Sequence, residues 1–279
     1  MRTYSLDDVY ETRKRRDSWW TVYFVDPVAC RVALPVANRT RLTPNGLTVF
    51  SLVLGLGSAV GFAMNQLIAG AVFFYLSFMI DCVDGKIARL KGTGTPFGLW
   101  LDYVGDRIRV VLCAGGLAYG QYALTGDVSY VVLGAAVAVL DLFRYVNAPQ
   151  MKRVREAIRE ERQEPEIDLD PLSPDPLVPE PAEPLGRAPR PRWFFRLFRR
   201  LNRFLARHRV RSHLVSGIEF HAAVFVIAPI AGAWALIPLA VASGVLLLAN
   251  EVFLVYRMWL FTRRHGVGSS QESREHVLV

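Results

Sequence analysis

The chain has 279 residues, 52% of them hydrophobic, and a formal net charge of +8. That apolar share is too high for an ordinary soluble domain. The positive residues flank apolar stretches, which argues against a nucleic-acid-binding domain and for a membrane protein with basic cytoplasmic loops.

Residues 1–42 read as a cytoplasmic N-terminal and interfacial segment. Asp26-Pro27 has the form of an N-cap followed by a first-turn proline, so 28–36 is expected to be a short helix lying on the membrane. Trp19, Trp20, Tyr23 and Phe24 are expected to anchor at the interface. Six apolar spans follow, near 45–64, 67–90, 97–123, 128–149, 214–234 and 236–260. Each is about 20 residues or longer, enough to cross ~30 Å of hydrocarbon. The loops near 65, 125 and 235 lack Lys and Arg, whereas Arg13–Arg16, Arg39, Arg41, Lys91, Lys152, Arg153 and Arg263–Arg264 fall on the other side. Both termini, and the facing ends of the second and third spans with their carboxylates, are therefore expected at the cytoplasmic face of a multi-pass inner (plasma) membrane protein. Lysine occurs only at Lys14, Lys86, Lys91 and Lys152, an arginine bias that suits a GC-rich bacterial genome.

The expected fold is an all-α integral membrane protein of six transmembrane helices, with an N-terminal interfacial helix and a cytoplasmic insertion between helices 4 and 5. The divisions are 1–42, 43–150 (helices 1–4), 151–212 (insertion), 213–262 (helices 5–6) and 263–279 (cytoplasmic tail). Within the insertion, 165–191 is rich in proline and acids and reads as a disordered linker. Residues 193–209 (WFFRLFRRLNRFLARHR) read as a basic amphipathic helix suited to anionic lipid, with protein docking as the alternative. In the first span, Gly57 and Gly61 form a GxxxG pattern that serves packing inside the bundle or a homodimer seam. Cys30, Cys82 and Cys113 are odd in number and scattered, so no disulfide framework is expected.

The chemistry concentrates in the second and third spans. Carboxylates are disfavoured in a bilayer, at roughly 2.5–3.5 kcal/mol each near a helix centre. Asp81 and Asp84 are three apart, and Asp102 and Asp106 four apart, so each pair shares one helix face. Two such helices facing one another would surround one or two hard divalent cations. Gly85 permits close approach, Ala88 keeps the same face open, and Arg89 offers a fork for a phosphate oxygen. A buried ion network with Lys86, Arg89 and Arg107 as partners is the alternative. Asp141 and Arg144, three apart on the fourth span, either pair or leave Arg144 for an acceptor phosphate. Arg109, two positions from Arg107, is expected to point elsewhere. Glu219, His221 and Glu251 are read as interhelical hydrogen-bonding groups or substrate contacts.

Written out, D81-C-V-D84-G85-K-I-A88-R89, eight residues, then G98-L-W-L-D102-Y-V-G105-D106 resembles the CDP-alcohol phosphotransferase family signature at every fixed position. Thr43-Pro44-Asn45 resembles a further family feature. The resemblance covers roughly 43–150 and 214–260 and leaves 152–212 outside. It implies phosphatidyl transfer from CDP-diacylglycerol to an alcohol with release of CMP. The alternatives are a CDP-linked polar donor such as CDP-inositol, or a non-catalytic lipid-surface recruitment protein. It further implies Mg²⁺ or Mn²⁺, as two ions, on Asp81, Asp84, Asp102 and Asp106, with Asp106 as general base. Asn45, Asp84, Gly85, Ala88, Arg89 and Gly98 would line the CDP site, with Arg107 and Arg144 toward the acceptor. Where similar phosphatidylinositol-phosphate synthases tend to carry Lys-Ala-Arg, this chain has Asn147-Ala148-Pro149.

Overall fold

The computed structural model describes residues 3–160, 208–210 and 216–275, and is helical throughout its described elements. The expected linker at 165–191 and nearly all of the basic helix at 193–209 lie outside the described residues. The elements are α1 (Leu6–Glu11), a π-helical turn (Thr21–Val25), α2 (Asp26–Arg39), α3 (Pro44–Ala63), α4 (Leu67–Lys91), α5 (Pro96–Thr125) and α6 (Ser129–Glu160). Then follow α7 (Gly217–Ala222), a second π-helical turn (Ala223–Ile227), α8 (Ala228–Ala231) and α9 (Ala233–Glu275).

Local sequence explains the boundaries. α3 and α5 start alike, with Thr-Pro-x-Gly: Thr43 accepts from the Gly46 N–H (3.1 Å) and Thr95 from the Gly98 N–H (3.0 Å). In each, proline fills the first helical position, where no N–H is needed. Gly92 (φ 63°) and Gly126 (φ 71°) end α4 and α5 in the left-handed region. The α3–α4 turn instead uses Asn65 (φ 60°), whose side chain receives a hydrogen bond from Gln121.

α3 lies between α4 and α5, α5 leads to α6, and α6 packs on α9. Small residues set these approaches. A Cβ at Gly61 would stand 3.1 Å from the Gly70 backbone nitrogen on α4. Cβ atoms at Gly116 and Gly120 would run into the Ala59 and Phe62 carbonyls of α3. Gly61 therefore serves packing inside the bundle. Phe62, Phe74 and Phe225 meet in the core, with centroids 4.8 and 6.2 Å apart.

α3, α4, α6 and α9 are long and apolar enough to cross a membrane, and only 11–39% of their most apolar stretches is buried within the protein. Ile68, Val132, Val139 and Val245 lie at the exposed surface. An apolar exterior on long helices is the form expected of a multi-pass membrane protein. Gly217–Ala231 is a shorter apolar helix, and Gly232 (φ 108°) separates it from α9.

Two N-terminal expectations change. Asp26 is not an N-cap, because helical backbone already precedes it through Val25. Its buried carboxylate instead meets Lys86 Nζ at 2.7 Å and Arg209 Nη1 at 3.4 Å. Trp20 is buried and stacks on Phe24 at 4.6 Å, while Tyr23 and Phe24 remain half exposed. The aromatic group thus divides between core and surface.

Candidate active site

The site forms where α4 and α5 face each other at the end of the bundle joined by the Gly92–Thr95 turn. Asp81 and Asp84 lie one turn apart on α4, and Asp102 and Asp106 one turn apart on α5. One carboxylate oxygen from each of Asp81, Asp102 and Asp106 lies within 4.8 Å of the others. α3 brings the helices together: Gly105 packs on Leu52, where a Cβ would stand 2.8 Å from Leu52 Cδ2.

Asp84 is turned toward α3. It is buried, and its Oδ2 accepts a short hydrogen bond from Thr48 Oγ1. Thr48 is a site-wall residue that sequence reasoning missed. Its place one turn after the Thr43–Pro44 helix start was the available signal.

Arg109 overturns its expectation. It does not point elsewhere: Nη2 pairs closely with Asp106 Oδ1, and Nη1 lies 3.7 Å from Asp81 Oδ1 and donates to Ser77 Oγ at 3.1 Å. Its aliphatic stem fits because Gly55 has no Cβ, which would stand 2.8 Å from Arg109 Cγ. The decisive spacing was three residues from Asp106, which puts acid and base on one face, whereas the distance from Arg107 was uninformative. Gly55 is thereby explained within the bundle.

Arg107 turns the other way. It pairs closely with the fully buried Asp141, stacks over Tyr145 at 3.8 Å, and keeps only a 3.7 Å approach to Asp106 Oδ2. Asp141 also meets His221 Nε2 at 2.8 Å. The Asp141–Arg144 pairing is therefore not found. Arg144 lies on another face of α6, with its Nε 3.5 Å from Glu251, which also accepts from Asn147 at 3.0 Å. Glu219 caps α7 through the Ser216 N–H (2.8 Å) and accepts from the Trp19 N–H (3.0 Å). These three acids are satisfied by protein groups.

The remaining signature positions frame the acids. Asn45 Oδ1 fills the space left by the missing side chain of Gly98, and Asn45 Nδ2 donates to Thr95 at 3.4 Å. Arg89 lies beside Gly85, its Nη1 3.5 Å from where a Cβ would be, and its Nε donates to the Thr12 carbonyl at 2.7 Å. Ala88 follows one turn after Asp84. Lys86 is occupied by Asp26, so neither Lys86 nor Arg89 neutralises the cluster as the ion-network alternative requires.

The arrangement fits a divalent cation. Three converging carboxylates, with buried Asp84 beside them, offer hard oxygen donors, and Arg109 balances only part of their charge. Uncompensated negative charge in a low-dielectric interior is costly, and oxygen-ligated Mg²⁺ or Mn²⁺ is the complementary partner.

The segment that holds these acids resembles known proteins. Residues 41–161 match the family model described as CDP-alcohol phosphatidyltransferase. An archaetidylinositol phosphate synthase of Methanothermobacter thermautotrophicus is 32% identical over 105 residues, covering 37% of this chain and 50% of that protein. A phosphatidylinositol phosphate synthase of Mycobacterium marinum is 37% identical over 93 residues, covering 32% and 40%. The crystal structure of the Mycobacterium tuberculosis phosphatidylinositol phosphate synthase with CDP-DAG bound has a TM-score of 0.40 at 22% identity, covering 85% of this chain and 94% of that one. The matches to the two curated relatives span half of their length or less. Residues 41–161, with the whole D81–D106 signature inside them, are thus the part of the chain that matches the CDP-alcohol phosphatidyltransferase family.

Proposed function

We propose that the protein transfers a phosphatidyl group from CDP-diacylglycerol to an alcohol and releases CMP. The observation that carries this reading is the Asp81–Asp102–Asp106 cluster, assembled by α4 and α5 within the family-matched segment. In the proposed reaction the acceptor oxygen bonds to the phosphatidyl phosphorus, the bond from that phosphorus to the CMP oxygen breaks, and the hydroxyl proton passes to Asp106. Arg109 occupies Asp106 Oδ1 and so fixes the carboxylate, leaving Oδ2, which Arg107 approaches only to 3.7 Å, for that proton. Asp81, Asp84, Asp102 and Asp106 would hold one or two divalent ions, which supply charge compensation for the pyrophosphate. Asn45, Gly85, Ala88, Arg89 and Gly98 border the nucleotide, and Arg107 borders the acceptor side.

The acceptor we infer is a phosphorylated inositol, because relatives matched over the same segment are named for that product. We further infer six membrane crossings, with α5 and Gly217–Ala231 joining the four long apolar helices, and the acid end facing the cytoplasm of a bacterial inner membrane. The test incubates membranes holding the full chain with Mg²⁺ or Mn²⁺, either CDP-diacylglycerol or CDP-inositol, and a panel of alcohols. CMP release with the lipid donor and inositol phosphate is expected. Release only with CDP-inositol would replace the donor, and no release with any pair would reject the reading.

A further inference from the structure

The N-terminal segment is fastened to the acid end of the bundle by more contacts than its length requires. Arg89 on α4 donates to the Thr12 carbonyl at 2.7 Å. From the far side of the long insertion, Arg209 donates to the Lys14 carbonyl through Nη2 (2.6 Å) and Nε (3.2 Å), and reaches Asp26 at 3.4 Å. Its own carbonyl accepts from the Asp17 N–H at 2.9 Å, and Asp17 and Val210 form a β-bridge. Arg209 does this at φ 60°, a left-handed conformation that a residue with a long side chain seldom adopts unless its surroundings hold it there. Asp26 in turn holds Lys86 of α4 at 2.7 Å.

The result is a fixed backbone at Lys14. The other cations around the cluster are engaged: Arg109 with Asp106, Arg107 with Asp141, Lys86 with Asp26, and Arg89 with Thr12. Arg13, beside Lys14, is folded back on Tyr10. Lys14 is exposed, and no ion-pair partner for it is found among the described residues. Its main chain lies two residues beyond Thr12, whose carbonyl Arg89 of α4 holds at 2.7 Å. An exposed ammonium on a main chain anchored to Arg89, the cation that lies beside Gly85, suits a ligand that carries negative charge to that edge of α4.

We propose that Lys14 contacts a substrate phosphate beside Arg89 at the acid end of α4, and that Arg209 is the positioning residue that holds it there. The inference deepens the proposed function and rests on it for the identity of the phosphate, which belongs either to the CDP-linked donor or to a phosphorylated acceptor. It also gives the insertion's far end a role at the site: Arg209 closes the N-terminal segment over α4 from a position distant in sequence.

The test uses the full chain in lipid nanodiscs with Mn²⁺ and two readouts: titration with CDP, which needs no turnover, and KM for donor and acceptor from CMP release. Lys14→Ala is expected to weaken CDP binding, or to raise the KM for inositol phosphate, by about tenfold or more, as loss of one charge-assisted contact requires. The first result places the donor pyrophosphate at Lys14 and the second the acceptor phosphate. Lys14→Arg should recover most of the loss. Arg209→Ala should move the same parameter by a smaller factor, and Arg15→Ala, which also removes one positive charge, should move neither. Unchanged CDP affinity and unchanged acceptor KM in Lys14→Ala would overturn the proposal, as would an equal loss in Arg15→Ala. If wild type releases no CMP from any donor yet binds CDP in a Lys14-dependent way, the proposed reaction fails and the phosphate contact stands.

Discussion

The two halves of the bundle treat buried charge in opposite ways. Between α4 and α5, Asp81, Asp102 and Asp106 converge, with Asp84 beside them, and among the described residues Arg109 is the one cation paired closely with them. Where α6 meets α5, α7 and α9, acids and bases are matched: Asp141 with Arg107 and His221, and Glu251 with Arg144 and Asn147. A matched set is a structural solution, since each charge is desolvated against an opposite one. An unmatched set is stable only with something added. Excess charge, rather than the presence of charge, distinguishes the candidate site from its supporting network.

The sharpest break between the halves is metal removal. EDTA is expected to abolish CMP release, and excess Mg²⁺ or Mn²⁺ to restore it, measured on purified protein with CDP-diacylglycerol and inositol phosphate. Full turnover in chelator would make the acid cluster another self-sufficient network. Asp106→Asn should come next, lowering turnover by roughly 10²–10⁴-fold, the usual contribution of a positioned acid or base. It should leave insertion and melting temperature near wild type, because it reduces the surplus of negative charge.

In the matched half the signs reverse. Asp141→Asn leaves Arg107 buried without its counter-charge, so about 3–5 kcal/mol of stability should be lost, read as a lower melting temperature in detergent. The double variant Arg144→Met/Glu251→Leu removes both charges of a matched pair and leaves only the Asn147 amide without its acceptor, so stability should fall by less than in Asp141→Asn and CMP release should stay close to wild type. A marked rise in the acceptor KM of that variant would show that Arg144 serves the substrate after all.

Two smaller effects complete the series. Gly116→Ala drives a methyl into the Ala59 carbonyl on α3 and should cost about 1–3 kcal/mol, as overpacking does. Deleting 165–191 should leave CMP release largely intact, because that stretch lies outside the family-matched segment and has few large apolar residues. A well-inserted deletion that is inactive would tie the insertion to the site more closely than the Arg209 contacts do.

The primary structure by itself determined the helices and the paired acids of the candidate site. Apolar runs bounded by Thr-Pro-x-Gly starts and glycine ends were legible because helix length and capping are local properties. The spacings of Asp81–Asp84 and Asp102–Asp106 were legible because positions three or four apart share a face wherever the helix goes. Tertiary structure alone decided the partners. Arg107 and Arg109 sit two residues apart and face opposite ways, one toward Asp141 on α6 and the other toward Asp106 and Asp81. Asp26 looked like a cap and became the counter-charge of Lys86 and Arg209. Asp141 could have reached Arg144 along its own helix, but burial turned it toward α5 and α7. The physical reason is common to all three. A long or charged side chain is committed by the charge and space that other helices bring to it, and here those neighbours come from as far as 183 positions away.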